Sequence, residues 1–254
     1  MMKGIVLAGG LGTRLGPLTK ITNKHLLPVY DRPMIYYPIQ SLVDAGIKEI
    51  MVVTGGRNAG DFLRLLGNGN EFGLRHLDYT YQEGEGGIAQ ALGLCEDFAD
   101  GGPVAVILGD NIFGNHLGKY VSIFKENPGG ARLLFAEVDN PQNFGVPRFD
   151  NSKVVEVVEK PETPPSPYAV TGFYQYDAEV FEIIKTLKPS DRNELEITDV
   201  NNAYLRQGVT NPSQGLAWDV YNGWWIDAGS SPENLARATR FVMEMNSVKN
   251  CDCV

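Results

Sequence analysis

Lys3-Gly-Ile-Val-Leu-Ala-Gly-Gly-Leu-Gly-Thr-Arg-Leu15 is the stretch on which the reading of the whole chain turns. Residues 3–8 are a short apolar run that suits a buried strand. Gly9, Gly10 and Gly12 then let the backbone turn sharply and approach a ligand with no Cβ in the way. Successive amides in such a turn form a concave anion site, and Arg14 adds a permanently charged fork that matches phosphate oxygens. Together they read as a phosphate cradle. Two familiar cradles fail on spacing. Thr13-Arg14 follow Gly12 where a P-loop carries Lys and Ser/Thr, and Leu15 stands where the dinucleotide fingerprint has its third glycine. A glycine-rich structural turn is the plain alternative, and only residues further along decide between the two.

Outward from this loop, apolar spacing predicts strands and helices in alternation. Ile35, Ile39, Leu42 and Val43 make a helix over 34–45 that Gly46 stops, with Pro38 early enough to cost little. Ile50–Thr54 is a buried strand, 58–66 a helix and Tyr79–Gln82 a short strand. Residues 87–98 form a helix on Ile88, Ala91, Leu92 and Cys95, and Val104–Leu108 is a strand running into Gly109-Asp110-Asn111. Such alternation argues for βαβ units and a mostly parallel sheet. Beyond residue 130, strands over 132–138, 153–158 and 169–176 precede helices at 178–187, 197–206 and 232–246. This half extends the sheet and roofs the pocket. The expectation is one domain over 1–246, divided near residue 130, and a disordered tail at 247–254.

A chain of 254 residues with 43% hydrophobic and 21% charged residues can bury a full core. Its net charge of −9 disfavours nucleic acid as a partner. No run approaches the length needed to span a bilayer, and the N-terminus lacks a secretory pattern, so the expectation is a cytoplasmic protein without a membrane role. Three cysteines make no disulfide framework.

In open α/β sheets ligands bind beyond the carboxyl ends of strands. Here those ends carry the glycine loop, Thr54-Gly55-Gly56, Gln82 and Gly109-Asp110-Asn111. Lys24 follows the loop closely enough to reach phosphates held there; alone it would read as a solvated lysine. His25 beside it is a possible ligand contact or a structural histidine. Asp110 after an apolar strand reads as a magnesium ligand or as a turn aspartate. Asp227, in Gly223-Trp-Trp-Ile-Asp-Ala-Gly229, offers a second carboxylate of the same kind. Glu159-Lys160 ends a strand, where Lys160 suits a second phosphate and Glu159 suits sugar hydroxyls; an exposed ion pair is the plain reading. No Ser-His-Asp order, zinc spacing or cysteine nucleophile is present.

Taken together, Gly9–Leu15 with Lys24 and Pro28 resembles the sugar nucleotidyltransferases. Leu26-Leu27-Pro28, Pro33–Tyr37, Leu108–Phe113, Glu159-Lys160-Pro161, Tyr168–Gly172 and Glu194–Asp199 are similar to the glucose-1-phosphate thymidylyltransferase branch, over about residues 3–245. The resemblance implies a Rossmann-like α/β nucleotidyltransferase fold, a mixed, mostly parallel sheet flanked by helices. It implies that dTTP and α-D-glucose 1-phosphate give dTDP-glucose and pyrophosphate with Mg²⁺, for dTDP-deoxysugar biosynthesis, in a homo-oligomer. Leu7, Ala8, Gly9, Gly10, Gly12 and Thr13 would cradle the nucleotide, with Arg14, Lys24 and His25 near its phosphates and ribose. Gln82 and Gly87 would read the thymine. Asp110 and Asp227 would hold the metal. Asn111, Gly145, Glu159 and Val170 would hold the sugar, and Lys160 its phosphate. Residues to about 130 would be the nucleotide half and those after it the sugar-phosphate half. His25, Phe144, Pro147 and Arg148 depart from the usual pattern, and the length matches a short form in which a feedback site is expected to be absent or weakened. The alternatives are a transferase using UTP or another sugar 1-phosphate, and a non-catalytic nucleotide-sugar sensor.

Overall fold

The computed structural model describes residues 1–251, with side chains to residue 247. Seven strands form the main sheet: β1 (Lys3–Ala8), β2 (Glu49–Gly55), β3 (His76–Gln82), β4 (Val104–Leu108), β5 (Ala131–Glu137), β6 (Tyr168–Tyr176) and β7 (Leu216–Val220). Their order across the sheet is β7-β5-β6-β4-β1-β2-β3. β3, β2, β1 and β4 are parallel neighbours, as are β5 and β7. β6 alone runs against both its neighbours, β4 and β5. The sheet is therefore mixed and mostly parallel, as its sequence pattern predicts.

Among the described residues eight α-helices accompany it: α1 (Tyr36–Asp44), α2 (Ala59–Leu66), α3 (Ile88–Gly93), α4 (Glu96–Ala99), α5 (Gly118–Glu126), α6 (Glu179–Thr186), α7 (Ile197–Thr210) and α8 (Pro232–Cys251). Strand periodicity divides the core. Val6 and Ala8 of β1 and Ala105 and Ile107 of β4 pack with α1, α2 and α5. Ile5, Leu7, Val104 and Val106 face the other way, onto α3, α6 and α7. A strand covered on both faces is an unbroken apolar run, which is why residues 4–8 and 104–108 show no polar alternation. α8 seals a third cluster containing Val29, Met34, Ile112 and Ile226.

Three details differ from the sequence reading. The helix over 87–98 is two short helices, broken at Cys95, whose thiol is fully buried and sits over the Ala91 carbonyl. Helix α5, where Leu117 at the N-cap and Tyr120, Val121 and Phe124 after it are spaced for a helix, and strand β7 are elements additional to those read from the sequence. α8 reaches Cys251, past the expected end at 246, and the remainder of the tail, 252–254, lies outside the described residues.

Two small antiparallel ribbons matter for the site. Gly145–Asp150 pairs with Lys153–Glu159, and Asn111–Phe113 pairs with Trp225–Asp227. Pro147 lies inside the first ribbon, which keeps its pairing with Val157 opposite it.

Candidate active site

A cleft of about 340 Å³ opens at the carboxyl ends of β1, β3 and β4. Gly9 and Gly10 lie on its wall. Gly12 turns the loop in left-handed conformation, φ 69°, and starts a single 3₁₀ turn over Thr13–Leu15. Leu15 is fully buried and pins that turn, so that Arg14 is presented to the cleft. A Cβ on Gly55 would lie 2.6 Å from the Gly9 carbonyl oxygen, so the turn after β2 nests against the turn after β1 only because Gly55 is bare. Gln82, at the end of β3, and Gly87, at the start of α3, form the neighbouring wall.

In the middle sit Lys24, Asp110 and Asp227. Lys24 Nζ donates to Asp110 Oδ2 at 2.5 Å. The ribbon Asn111–Phe113/Trp225–Asp227 places Asp227 opposite Asn111, and the Ala228 amide donates to the Asp110 carbonyl at 2.9 Å. Gly229 must be bare, because a Cβ there would collide with Asp110 Oδ2. Burial alone would lower the Lys24 ammonium; Asp110 and Asp227 overcome this and raise it. Burial pushes Asp227 up to about 7, helped by the neighbouring Asp110 charge. Burial acts the same way on Asp110, yet the charges of Lys24 and its hydrogen bonds from Lys24 and Asn111 hold it well below the usual carboxylate range. Two buried carboxylates thus share one cation, a set of hard oxygen donors with charge left to neutralise, which fits a divalent ion such as Mg²⁺. Among the described residues no cluster of three metal-ligating side chains forms. The remaining positions around an ion would fall to water and phosphate oxygens.

His25 is buried beside this group, its Nδ1 2.7 Å from Asn23 Oδ1. Asn23 Oδ1 can only accept, so Nδ1 carries the proton. Burial and the adjacent Lys24 charge push the ring down to about 3, keeping it neutral.

The opposite wall belongs to the second half of the chain. Glu159 Oε2 accepts from Thr198 Oγ1 at 2.5 Å, and Glu159 Oε1 accepts from Arg192 Nη2 at 3.2 Å. Arg192 also grips both oxygens of Glu196, at 2.9 and 2.8 Å. Lys160, at φ 41°, donates its amide to the Phe144 carbonyl and holds its ammonium 3.4 Å from Glu159. Asn111 ties this wall to the centre, accepting from the Gly172 amide at 3.0 Å and from Trp225 Nε1 at 2.7 Å. Phe144 leans on Trp225, ring centroids 5.2 Å apart.

Of the residues expected from sequence, Leu7, Gly9, Gly10, Arg14, Lys24, His25, Gln82, Gly87, Asp110, Asn111, Gly145, Glu159, Lys160, Val170 and Asp227 line this one cleft. Ala8, Gly12 and Thr13 lie behind it: Ala8 is fully buried in the core, while Gly12 and Thr13 shape the turn. Sequence reasoning missed Arg192, Glu196, Tyr174 and Trp225. Arg192 sits in the turn between α6 and α7 with no periodicity around it. Its one signal was a cation among Asp191, Glu194 and Glu196.

The chain matches the nucleotidyl transferase family over residues 3–244. It is 49% identical over 222 residues to a glucose-1-phosphate thymidylyltransferase of Actinoplanes sp., covering 85% of this chain and 73% of that one. It is 44% identical to the enzyme of that name from Neisseria gonorrhoeae, covering 98% and 85%. A Bacillus anthracis protein solved in complex with sucrose superposes with TM-score 0.87 at 51% identity, covering 94% of each chain. UDP-glucose pyrophosphorylase solved with UDP-glucose gives 0.81 at 26% identity, covering 96% of this chain and 99% of that one. By family match and by identity across most of its length, the chain belongs to the nucleotidyl transferase enzymes and, among them, to the glucose-1-phosphate thymidylyltransferases.

Proposed function

We propose that this chain joins the thymidylyl group of dTTP to α-D-glucose 1-phosphate, releasing pyrophosphate, and thereby supplies dTDP-glucose for dTDP-deoxysugar synthesis. The observation that carries the reading is the position of Lys24, Asp110 and Asp227 between a glycine loop with Arg14 and a wall with Lys160 and Arg192. Two cationic stations flank a carboxylate pair, which suits two phosphates that must meet. The bond that forms joins a sugar-phosphate oxygen to the α-phosphorus of dTTP. The bond that breaks leads to the β-phosphate.

In this reading Gly9, Gly10 and Arg14 cradle the triphosphate, and Arg14 takes up charge on the departing pyrophosphate. Lys24, held against Asp110, faces the α-phosphate. Lys160 and Arg192 hold the phosphate of the attacking sugar, while Asn111, Gly145, Glu159 and Val170 receive its hydroxyls. Asp110 and Asp227 would hold Mg²⁺, which supplies Lewis-acid neutralisation of phosphate charge when bound. The sugar phosphate is already ionised at neutral pH, so its oxygen needs no general base, and the neutral, Asn23-bound His25 is not asked to provide one.

Pyrophosphate release measured with Mg²⁺ over dTTP, UTP and CTP, each against several sugar 1-phosphates, tests this. The expected best pair is dTTP with α-D-glucose 1-phosphate. A clear preference for UTP would instead favour the activity named for the UDP-glucose pyrophosphorylase neighbour. No release with any pair would favour a non-catalytic sensor. A dTTP analogue chiral at the α-phosphorus should react with inversion; net retention would demand a covalent enzyme intermediate.

A further inference from the structure

Gln82 stands where the base of the nucleotide is expected, and its amide is not free to choose which end it offers. One terminal atom of Gln82 lies 3.0 Å from the Gly87 carbonyl oxygen and 2.8 Å from Gln90 Oε1. A backbone carbonyl can only accept, so the Gln82 atom facing it is the NH₂. That NH₂ has two hydrogens, and both are spent, one on Gly87 and one on Gln90. The other end, Oε1, is turned toward the glycine loop, 2.6 Å from where a Cβ on Gly9 would stand. Gln82 therefore presents an acceptor, and only an acceptor, to the cleft.

The Gly87 carbonyl alone could hold one hydrogen of the NH₂. The second partner fixes the rest, and Gln90 has been given the space to be that partner. It sits on the first turn of α3, half-buried. Its amide lies so close over Gly86 that any Cβ there would overlap it. The loop beneath is anchored in turn, since the Leu195 amide donates to the Gly86 carbonyl at 2.8 Å and the Ala89 amide donates to the Leu195 carbonyl at 3.1 Å.

We propose that Gln90 is a positioning residue for base selection: it locks the Gln82 amide so that the cleft offers an acceptor to N3 of the pyrimidine. Thymine and uracil carry N3–H and satisfy that acceptor. Cytosine carries a lone pair at N3 and opposes it. Gln90 touches no substrate; it acts through Gln82. This rests on the nucleotide-transfer reading above and assigns the device by which that same site rejects cytosine.

The test compares the wild-type enzyme with Gln90→Leu, Gln90→Glu and Gly86→Ala, measuring kcat/KM for dTTP, UTP and CTP at saturating glucose 1-phosphate and Mg²⁺. Leucine removes the second acceptor, so one hydrogen of the Gln82 NH₂ is no longer spent and can be offered to a ring nitrogen that carries a lone pair, while the Gly87 carbonyl still holds the other. The dTTP-to-CTP preference should fall at least ~10-fold, the scale of one lost oriented hydrogen bond, with the dTTP-to-UTP ratio unchanged. Glutamate still accepts from Gln82 and should restore the wild-type preference. Gly86→Ala pushes the Gln90 amide away without altering it, and should reproduce the leucine phenotype in a second background should Gln90→Leu fold poorly. Calorimetric binding of dTDP, UDP and CDP reads the same preference without turnover. An enzyme that binds these selectively but releases no pyrophosphate would sink the transfer reading and leave the amide lock standing. Folded Gln90→Leu and Gly86→Ala proteins that discriminate against cytosine as well as wild type does would overturn the lock.

Discussion

The two walls of the cleft are made of different material. On the nucleotide side, backbone does most of the facing: glycines at the ends of β1 and β2, one turn carrying Arg14, and an amide fixed by its neighbours. On the sugar-phosphate side, the surface is ion-paired side chains, with Arg192 already bound to Glu196 and Glu159, and Lys160 beside Glu159. A phosphate arriving at the first wall meets groups waiting for it. A phosphate arriving at the second must take Arg192 and Lys160 from carboxylates they already hold. On the proposed function, the first wall is set before binding and the second is rearranged by it. The partly exposed Lys160–Glu159 pair contributes little on its own, whereas Arg192 grips both oxygens of the buried Glu196 and is the firmer of the two.

Substitutions can break or sharpen this contrast. The largest effect is expected at the seam between the walls. Asp110→Asn and Asp227→Asn should each lower kcat by ~10³-fold or more, as for other groups that organise charge at a reacting phosphate. Their stabilities should diverge. Asp227→Asn removes a buried charge next to Asp110 and should raise the melting temperature in metal-free buffer. Asp110→Asn strands Lys24 and should lower it. Equal stability changes would mean that the two carboxylates are not the unequal pair described above.

Next in size, Arg14→Met should reduce kcat by ~10²-fold or more with little change in the KM for glucose 1-phosphate. Arg192→Met should instead raise that KM by ~10-fold while the KM for dTTP stays within a factor of two or so. Steady-state kinetics with each substrate varied in turn separates the two; KM values that rise together would erase the distinction between walls. Gly229→Ala drives a methyl into Asp110 and should cost ~1–3 kcal/mol in chemical denaturation, within the usual range for overpacking. Last comes Gly12, where alanine meets a left-handed φ of 69° with its Cβ 2.9 Å from Lys24 Cβ, and should likewise cost ~1–3 kcal/mol; a stabilised Gly12→Ala protein would show that the turn is not held in this conformation.

The same contrast explains what the sequence made legible. The nucleotide wall is assembled by neighbours in sequence and by parallel strands whose ends fall at one edge. Reading residues 3–15, 82 and 109–111 as strand ends was therefore enough to place them together. The meeting of Asp110 with Asp227 was not readable, because it depends on pairing two three-residue strands more than a hundred positions apart. Arg192 escaped for a related reason. Its distant partner, Glu159, comes from a ribbon and is held by Thr198 of α7, a packing that no local pattern encodes. The break at Cys95 was hidden because apolar spacing continues through it while the backbone does not.

The staple at Leu195 has a consequence for the order of events. Its amide and carbonyl both bond to the base loop, at Gly86 and Ala89, while Glu196 and Thr198 immediately after it belong to the sugar wall. A single peptide segment is thus listening at both doors. On the proposed function, seating either substrate would restrain a strip of chain that the other also touches, and slower hydrogen exchange at the Ala89 and Leu195 amides on adding either one alone is the expected sign of it.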